Sequence, residues 1–397
     1  MSELNASDLR KEHGNEGPDL SGLTKLDSPY YFVPPSGTTK ERPENPEPGT
    51  LRFNTDIGSL EYFKGDTLGW EQIVRRTPNL GGGSASFAGT GTRAIFAGGI
   101  TPSAQPNSCF NNVDALTIPT LGNTIDFNNL TGSYSGGNTV SDATRAVYAG
   151  GMEPLASSSP TDLIQYCTFS TQNDYVDSGG DLSTSQSFGA NLSDKTRGII
   201  AGRGSPGYNA AVDYINIQSL GLGANDFGDL HTAKGYSAGM SSSTRGIIAG
   251  GFHYPAGAYN TIEYITVQTV GSFVDFGDCS VTRYECAGFS NATRGIIAAG
   301  YGPAYTNMIE YITIATTGHV ADFGDLTAMN GTGKYGTCSS TRGIVAGGYI
   351  APATPYANTI EYITLATTGN GTDFGDFQGF GRRSGAQNGV SNGHGGL

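Results

Sequence analysis

The stretch TRGIIAGGFHYPAGAYNTIEYITVQTVGSFVDFGD, Thr244 to Asp278, decides how the chain is read. Its opening Thr-Arg pair and apolar run return as TRAIFAGG at Thr92, TRAVYAGG at Thr144, TRGIIAGR at Thr196, TRGIIAAG at Thr293 and TRGIVAGG at Thr341. The six arginines, Arg93, Arg145, Arg197, Arg245, Arg294 and Arg342, are spaced by 48 to 52 residues. A period of that length is typical of units of four short strands. Helical repeats of similar length need 3.6-residue amphipathic patterning and good helix formers, which this chain lacks.

Each unit resolves into four strand-like pieces. The first is rich in small residues, as in GYSAGMSSS at Gly235, and the second is the unbroken apolar RGIIAGG. The third, NTIEYITV at Asn260, alternates β-branched and aromatic residues, and the fourth is SFVDFGD at Ser272. A β-propeller explains this gradient. The innermost strand crowds the axis and favours Gly, Ala and Ser, the next is buried between neighbouring blades, and the outer ones become half-exposed. Paired glycines such as Gly98-Gly99, Gly150-Gly151, Gly250-Gly251 and Gly347-Gly348 end the second strand and permit positive φ. Asn260, Asn307 and Asn358, before the third strand, read as turn residues.

These features resemble the kelch-type β-propeller repeat, with its Gly doublet after the second strand and a Tyr in the third. The resemblance covers residues 85–397. It departs from the family pattern in the fourth strand, where DFGD at Asp226, Asp275, Asp322 and Asp373 replaces a Trp. The implied fold class is all-β, a kelch-like propeller.

Composition agrees. Of 397 residues, 61 are Gly and only 14% are charged, which suits a turn-rich all-β chain. No apolar run approaches the roughly 18 residues of a membrane-spanning helix, so membrane insertion is not expected. MSELNASDLRKEHGNEG at Met1 has no secretory apolar region. The formal net charge of −13 disfavours nonspecific nucleic-acid binding. The five cysteines, Cys109, Cys167, Cys279, Cys286 and Cys338, form no CxxC and read as small buried hydrophobes.

Residues 1–48 read as an extended N-terminal arm, because Pro34, Pro35, Pro43, Pro46 and Pro48 prevent helix or central strand. Within it Tyr30, Tyr31, Phe32 and Val33 are apolar enough to anchor on a partner. Residues 49–76 carry three short strands, Leu51–Asn54, Ser59–Phe63 and Trp70–Val74, with turn signals between them. The pattern Gly49 to Thr55, then Glu61, Tyr62 and Gly65, then Trp70, resembles a module of structural and fibre proteins of tailed bacteriophages. Arm, module and repeats together resemble virion proteins of marine phages, particularly those infecting cyanobacteria. That resemblance implies a particle-surface protein, contacts with other virion proteins through the arm, and a homo-oligomer, with a trimer by analogy to fibre modules.

The repeats supply six complete four-strand units. GAQNGVSNGHGGL at the C-terminus adds one more inner strand, with Val390 in the place of Leu192, Met240 and Phe289. Joining that strand to residues 49–76 would complete a seventh blade and close the ring with both chain ends, which removes sheet edges. This is the favoured expectation. The alternative is six blades with a separate N-terminal meander.

Propeller geometry puts the loops after the second and fourth strands on one face. They carry His253, Tyr254, Tyr259, Tyr301, Tyr305, Tyr349 and Tyr356, together with the ends of DFGD. Aromatic faces stack on sugar rings and carboxylates accept hydroxyl hydrogen bonds, so a host-surface glycan is a chemically sensible ligand. The repeated Arg is expected to be structural, paired either with Asp213, Glu263, Glu310 and Glu361 or with backbone carbonyls at the blade edge. The Phe of DFGD is expected to fill an inter-blade gap; the string lacks the oxygen count and loop spacing of a calcium site. The five histidines are scattered, and no nucleophile triad, metal-ligand spacing or phosphate loop is visible. The expectation is a binding protein without cofactor or metal. The alternative is a carbohydrate-active enzyme on the same scaffold.

Overall fold

A computed structural model describes residues 34–56, 59–67, 69–72, 92–101, 108–153, 159–327, 331–350, 356–379, 381–382 and 389–397. The chain divides into two compact units, Met1–Arg76 and Thr77–Leu397. Among the described residues both are built from strands, with two single-turn 3-10 helices at Thr39–Glu41 and Leu220–Leu222.

In the first unit, Leu51–Asn54, Ser59–Phe63 and Trp70–Gln72 form the expected antiparallel meander. Part of the expected arm belongs to it. Ser36–Gly37 pairs in parallel with Phe53 and Asn54, and Thr39 N–H donates to Asp56. The prolines forbid a central strand, but an edge strand of two residues escapes that restriction. Glu61, 1% exposed, accepts from Arg42 at 2.6 and 3.2 Å, Arg52 at 3.2 Å and Asn54 at 3.1 Å. These donors, Arg42 foremost, hold its carboxyl below the usual range despite burial. Both guanidinium groups lie over the Trp70 ring, at 5.6 and 5.9 Å. Tyr30, Tyr31, Phe32 and Val33 lie outside the described residues.

In the second unit the second to sixth Thr-Arg repeats each form a four-stranded antiparallel sheet and the first lies in a five-stranded one, in a propeller-like arrangement. The fourth repeat shows the pattern: an inner strand Ala238–Ser241, a second strand Arg245–Ala249, a third Thr261–Thr266 and an outer Val274–Asp278, paired in that order. Four of the five second-strand residues are buried, because both sheet faces meet neighbours. The glycine that follows the RxxxA run of this strand adopts φ between 58° and 67° at Gly98, Gly150, Gly202, Gly250 and Gly347. In the fifth repeat Ala299 takes the same conformation at 58°.

The C-terminal strand does not join the meander of residues 49–76. Gly389–Ser391 pairs antiparallel with Ala94–Phe96 and becomes the inner strand of the first repeat. The turn that follows explains the choice. In other repeats the residue after the inner strand caps the Thr-Arg turn. Asp142 Oδ1, for example, accepts from the N–H groups of Thr144 at 2.7 Å and Arg145 at 2.8 Å. In the first repeat Asn392 does this, its Oδ1 accepting from Arg93 N–H at 2.7 Å across 299 residues of sequence.

Three kinds of contact join successive sheets. The first uses the repeated arginine, whose partner is a carbonyl of the following repeat and not Glu263, Glu310 or Glu361. Arg145 Nη1 donates to Ile217 O at 3.1 Å, Arg197 to Val267 O at 3.1 Å, Arg245 to Ile314 O at 2.8 Å, and Arg294 to Leu365 O at 2.9 Å. Arg93 reaches Phe169 O, and Arg342 of the sixth repeat reaches Ile118 O of the first at 2.9 Å. Each guanidinium also covers an aromatic ring of its own sheet, at 4.5 to 4.8 Å for Tyr166, Tyr214, Tyr264, Tyr311 and Tyr362.

The second contact uses DFGD. Phe227, Phe276, Phe323 and Phe374 are buried at 0 to 3% exposure. Their carbonyls accept from the turn glycines of the next repeat: Gly271 N–H to Phe227 O, Gly318 to Phe276 O, Gly369 to Phe323 O, and Gly122 to Phe374 O. A Cβ on Gly277 would sit 2.2 Å from Gly318 O, so the fourth strand needs glycine there. The outer edge of each of these sheets is thereby covered by its neighbour.

The third contact is a belt of side chains at the ends of the inner strands. Ser141 Oγ donates to Ser391 O at 2.9 Å, Cys338 Sγ to Ser290 O at 2.9 Å, Ser290 Oγ to Ser241 O at 2.6 Å and Ser241 Oγ to Ser193 O at 2.7 Å; Ser391 Oγ donates to Cys338 O. At the sixth junction Ser193 Oγ accepts from Ser141 N–H at 3.2 Å, and His394 bridges the two, with Nε2 2.9 Å from Ser141 O and 3.3 Å from Ser193 Oγ, while its Nδ1 accepts from Gly396 N–H at 3.1 Å. All six inner strands enclose a cavity of about 50 Å³.

Two outcomes follow. Ala299→Gly removes left-handed strain and should raise stability by about 1 kcal/mol in denaturant titrations; an unchanged or lower midpoint would contradict the strain assignment. Burial lowers the pKa of His394, opposed by its bond to Ser141 and by Asp142 and Asp194. A lowered base favours the folded state while neutral, so its contribution is complete above about pH 6.5 and is lost as pH falls toward the depressed value. His394→Gln should flatten stability against pH in that acid window, as thermal melts from pH 7.5 to 4.5 would show.

Candidate functional site

The connections leaving the second strands and those leaving the outer strands meet at one end of the sheets, and both are aromatic. Phe188 stacks on Tyr236 at 4.8 Å and 22°. Tyr236 meets Tyr284 at 6.3 Å, Tyr284 meets Tyr301 at 5.7 Å, and Tyr301 meets Tyr305 at 4.7 Å. Tyr305 meets Tyr349 at 5.8 Å, and Tyr349 meets Tyr356 at 6.3 Å. A side branch runs from Tyr284 through Phe252 and Tyr208 to His253, at 4.9, 5.9 and 5.0 Å. The result is a continuous arc of half-buried rings from the third repeat to the sixth.

The sequence-derived residues fall within or beside this arc. Tyr301, Tyr305, Tyr349 and Tyr356 lie in line, and His253 ends the side branch. Tyr254 projects at 74% exposure, and the Tyr259 ring stands 6.0 Å from the Lys234 amine. Asp229, Asp278, Asp325 and Asp376, the last residues of DFGD, stand opposite the first part of the third strands, Ala211, Thr261, Met308 and Thr359. Sequence reasoning missed Phe188, Tyr236 and Tyr284, which connect the loops into one surface. Their signal was available: they recur at 48-residue intervals just before the small-residue inner strands.

Buried ion pairs anchor the segments that carry these rings. Lys234, two residues before Tyr236, is 0% exposed and bonds Glu263 of the next third strand at 2.8 Å. Arg283, adjacent to Tyr284, pairs with Glu310 in the same way, and Arg382 pairs with Asp114. In the third repeat the acid is Asp213, which accepts from Ser183 Oγ at 2.6 Å and whose pKa is raised by burial. Burial likewise pushes Lys334 down to about 7, opposed by Glu361. These carboxylates therefore serve the scaffold beneath the face.

On the face itself, burial raises the phenol of Tyr208. Burial, then the Glu285 carboxylate and the neighbouring tyrosines, raise that of Tyr284. The surface presents phenol hydroxyls and ring edges, a chemistry suited to hydroxyl-rich, partly apolar ligands. Among the described residues no three His, Cys, Asp or Glu side chains converge as a metal centre would require. Cys167, Cys279, Cys286 and Cys338 are buried free thiols, and burial raises their pKa values to between about 11 and about 12 for Cys167, Cys279, Cys286 and Cys338. Compared with known proteins, the chain matches no family model and no curated sequence.

Removing one member of a buried pair leaves the other charge unpaired. Arg283→Met should cost about 3–5 kcal/mol in chemical denaturation, and adding Glu310→Gln should recover part of the loss. Equal stability of the single variant and the wild type would show that the pair does not anchor the Tyr284 segment.

Proposed function

We propose that this chain is a closed six-bladed, kelch-like β-propeller that binds carbohydrate through its aromatic arc, displayed on a tailed-phage particle by its N-terminal module. The observation that carries the binding reading is the unbroken succession of ring contacts from Phe188 to Tyr356. Isolated loop tyrosines would stiffen their own loops. A connected arc instead offers one ligand several contacts, and many copies on a particle would add avidity.

Ring closure is supported by the pairing of Gly389–Ser391 with the first repeat and by the bonds from the sixth repeat to Ile118, Gly122 and Thr124. The particle reading rests on the sequence resemblance of Gly49 to Thr55, Glu61, Tyr62, Gly65 and Trp70, with Tyr30 to Val33 as the anchor. Homo-oligomerisation follows from the same resemblance. A carbohydrate-active enzyme is the weaker alternative, since Glu263, Glu310 and Asp114 are engaged in buried ion pairs.

A glycan array followed by calorimetry tests the binding reading. Tyr301→Ala and Tyr349→Ala should each weaken binding of an array-positive glycan about three- to tenfold, since an aromatic contact contributes about 0.5–1.5 kcal/mol. Absence of any array signal, or unaltered affinity in both variants, overturns it. Mass spectrometry of purified particles tests the virion reading, which fails if the protein is missing from them.

A further inference from the structure

The residues just before the inner strands of the second to sixth repeats form a hydrogen-bonded series of their own. Phe188 N–H donates to Gly136 O at 2.7 Å, Tyr236 to Phe188 O at 2.8 Å, Glu285 to Tyr236 O at 2.9 Å, and Gly333 to Glu285 O at 3.1 Å. All five residues are left-handed, with φ of 63°, 61°, 57°, 52° and 65° from Gly136 to Gly333. Left-handed backbone favours glycine, and two of the five positions use it. Three positions instead hold Phe, Tyr and Glu, a choice that opposes stability.

Strain of this kind is retained where the side chain has another use. Phe188 and Tyr236 are half-buried, stack on each other, and begin the aromatic arc. Their rings lie over glycines: a Cβ on Gly136 would meet the Phe188 ring at 2.2 Å, and one on Gly204 would meet the Tyr236 ring at 2.5 Å. The scaffold is therefore cut back to make room for rings that its own backbone disfavours. Glu285 comes next in the series, its N–H donating to Tyr236 O, and after burial its carboxylate contributes to the raised Tyr284 phenol.

We infer that Phe188, Tyr236 and Glu285 form the specificity-determining subsite of the face, and that it takes an uncharged sugar in preference to an anionic one. The inference rests on the carbohydrate reading above. The stacked rings supply apolar contact for a pyranose, and the carboxylate supplies a hydrogen-bond acceptor for its hydroxyls. The same carboxylate, in a chain of formal charge −13, repels uronate and other acidic sugars.

Calorimetry with neutral β1→4- and α1→4-linked glucose hexasaccharides and with hexagalacturonate tests it on the full chain. The wild type should bind a neutral hexasaccharide at least tenfold more tightly than hexagalacturonate. Phe188→Gly and Tyr236→Gly should each weaken neutral binding about tenfold without lowering the melting temperature, since glycine relieves the strain. Glu285→Gln should narrow the neutral-to-anionic gap. If the wild type binds and Tyr301→Ala weakens it, while Phe188→Gly and Tyr236→Gly bind as before, the subsite is wrong and the carbohydrate reading stands. A wild type that prefers hexagalacturonate overturns the charge selection. A wild type that binds none of the three overturns both readings.

Discussion

The second unit depends on one repeated interaction: an arginine held over a tyrosine of its own sheet while it donates to a carbonyl of the next. Burying a guanidinium edge is unfavourable unless its donors are used and its faces are covered. Here Nη1 finds the carbonyl just past the third strand of the following repeat, and the ring covers one face. That carbonyl ends a strand and would otherwise lack a ladder partner. The same contact thus satisfies a charge, a backbone acceptor and the spacing between sheets. Because donor and acceptor lie in different repeats, no repeat can complete it alone, and the sixth must find the first.

That requirement gives the C-terminal residues their meaning. Val390-Ser391-Asn392 reads as a copy of Phe289-Ser290-Asn291, an inner strand followed by a turn cap. Phe289 lies opposite Ile296, and Val390 opposite Ile95. Asn291 and Asn392 each accept from the backbone N–H of a repeat arginine, at 2.8 and 2.7 Å. The inner strand beside Arg93–Ala97 is therefore supplied from the other end of the chain. Its place is fixed chemically: the Thr-Arg turn offers the Arg93 N–H that Asn392 caps.

Repeat length, strand order and the burial of the DFGD phenylalanines were legible in the sequence because each is a local pattern repeated several times. The arginine's partner was not, since the acid immediately before Tyr214, Tyr264, Tyr311 and Tyr362 is an equally good acceptor on paper. The structure separates them by register: Glu263 lies opposite Ile248, deep in the sheet, whereas Arg245 lies opposite Thr266 at its end. The acids are taken instead by Lys234 and Arg283, which occupy irregular connections where spacing drifts. The loop tyrosines of the face were visible as exposed aromatics. Phe188, Tyr236 and Tyr284 were hidden among small residues that read as the start of an inner strand.

The two ends of the inner strands are built on opposite chemical terms. At one end a serine, or Cys338, recurs with little variation, because each must reach the carbonyl of the adjacent strand. At the other end successive repeats are joined by main-chain bonds, and the side chains vary. Gly, Phe, Tyr and Glu all occur there in the same strained conformation. A position held through its backbone tolerates any side chain that its φ allows, and here it carries ones that its φ disfavours. Variation at one end of a repeated scaffold separates two tasks: the serine end joins the sheets through side chains, and the aromatic end is where the side chains differ from repeat to repeat.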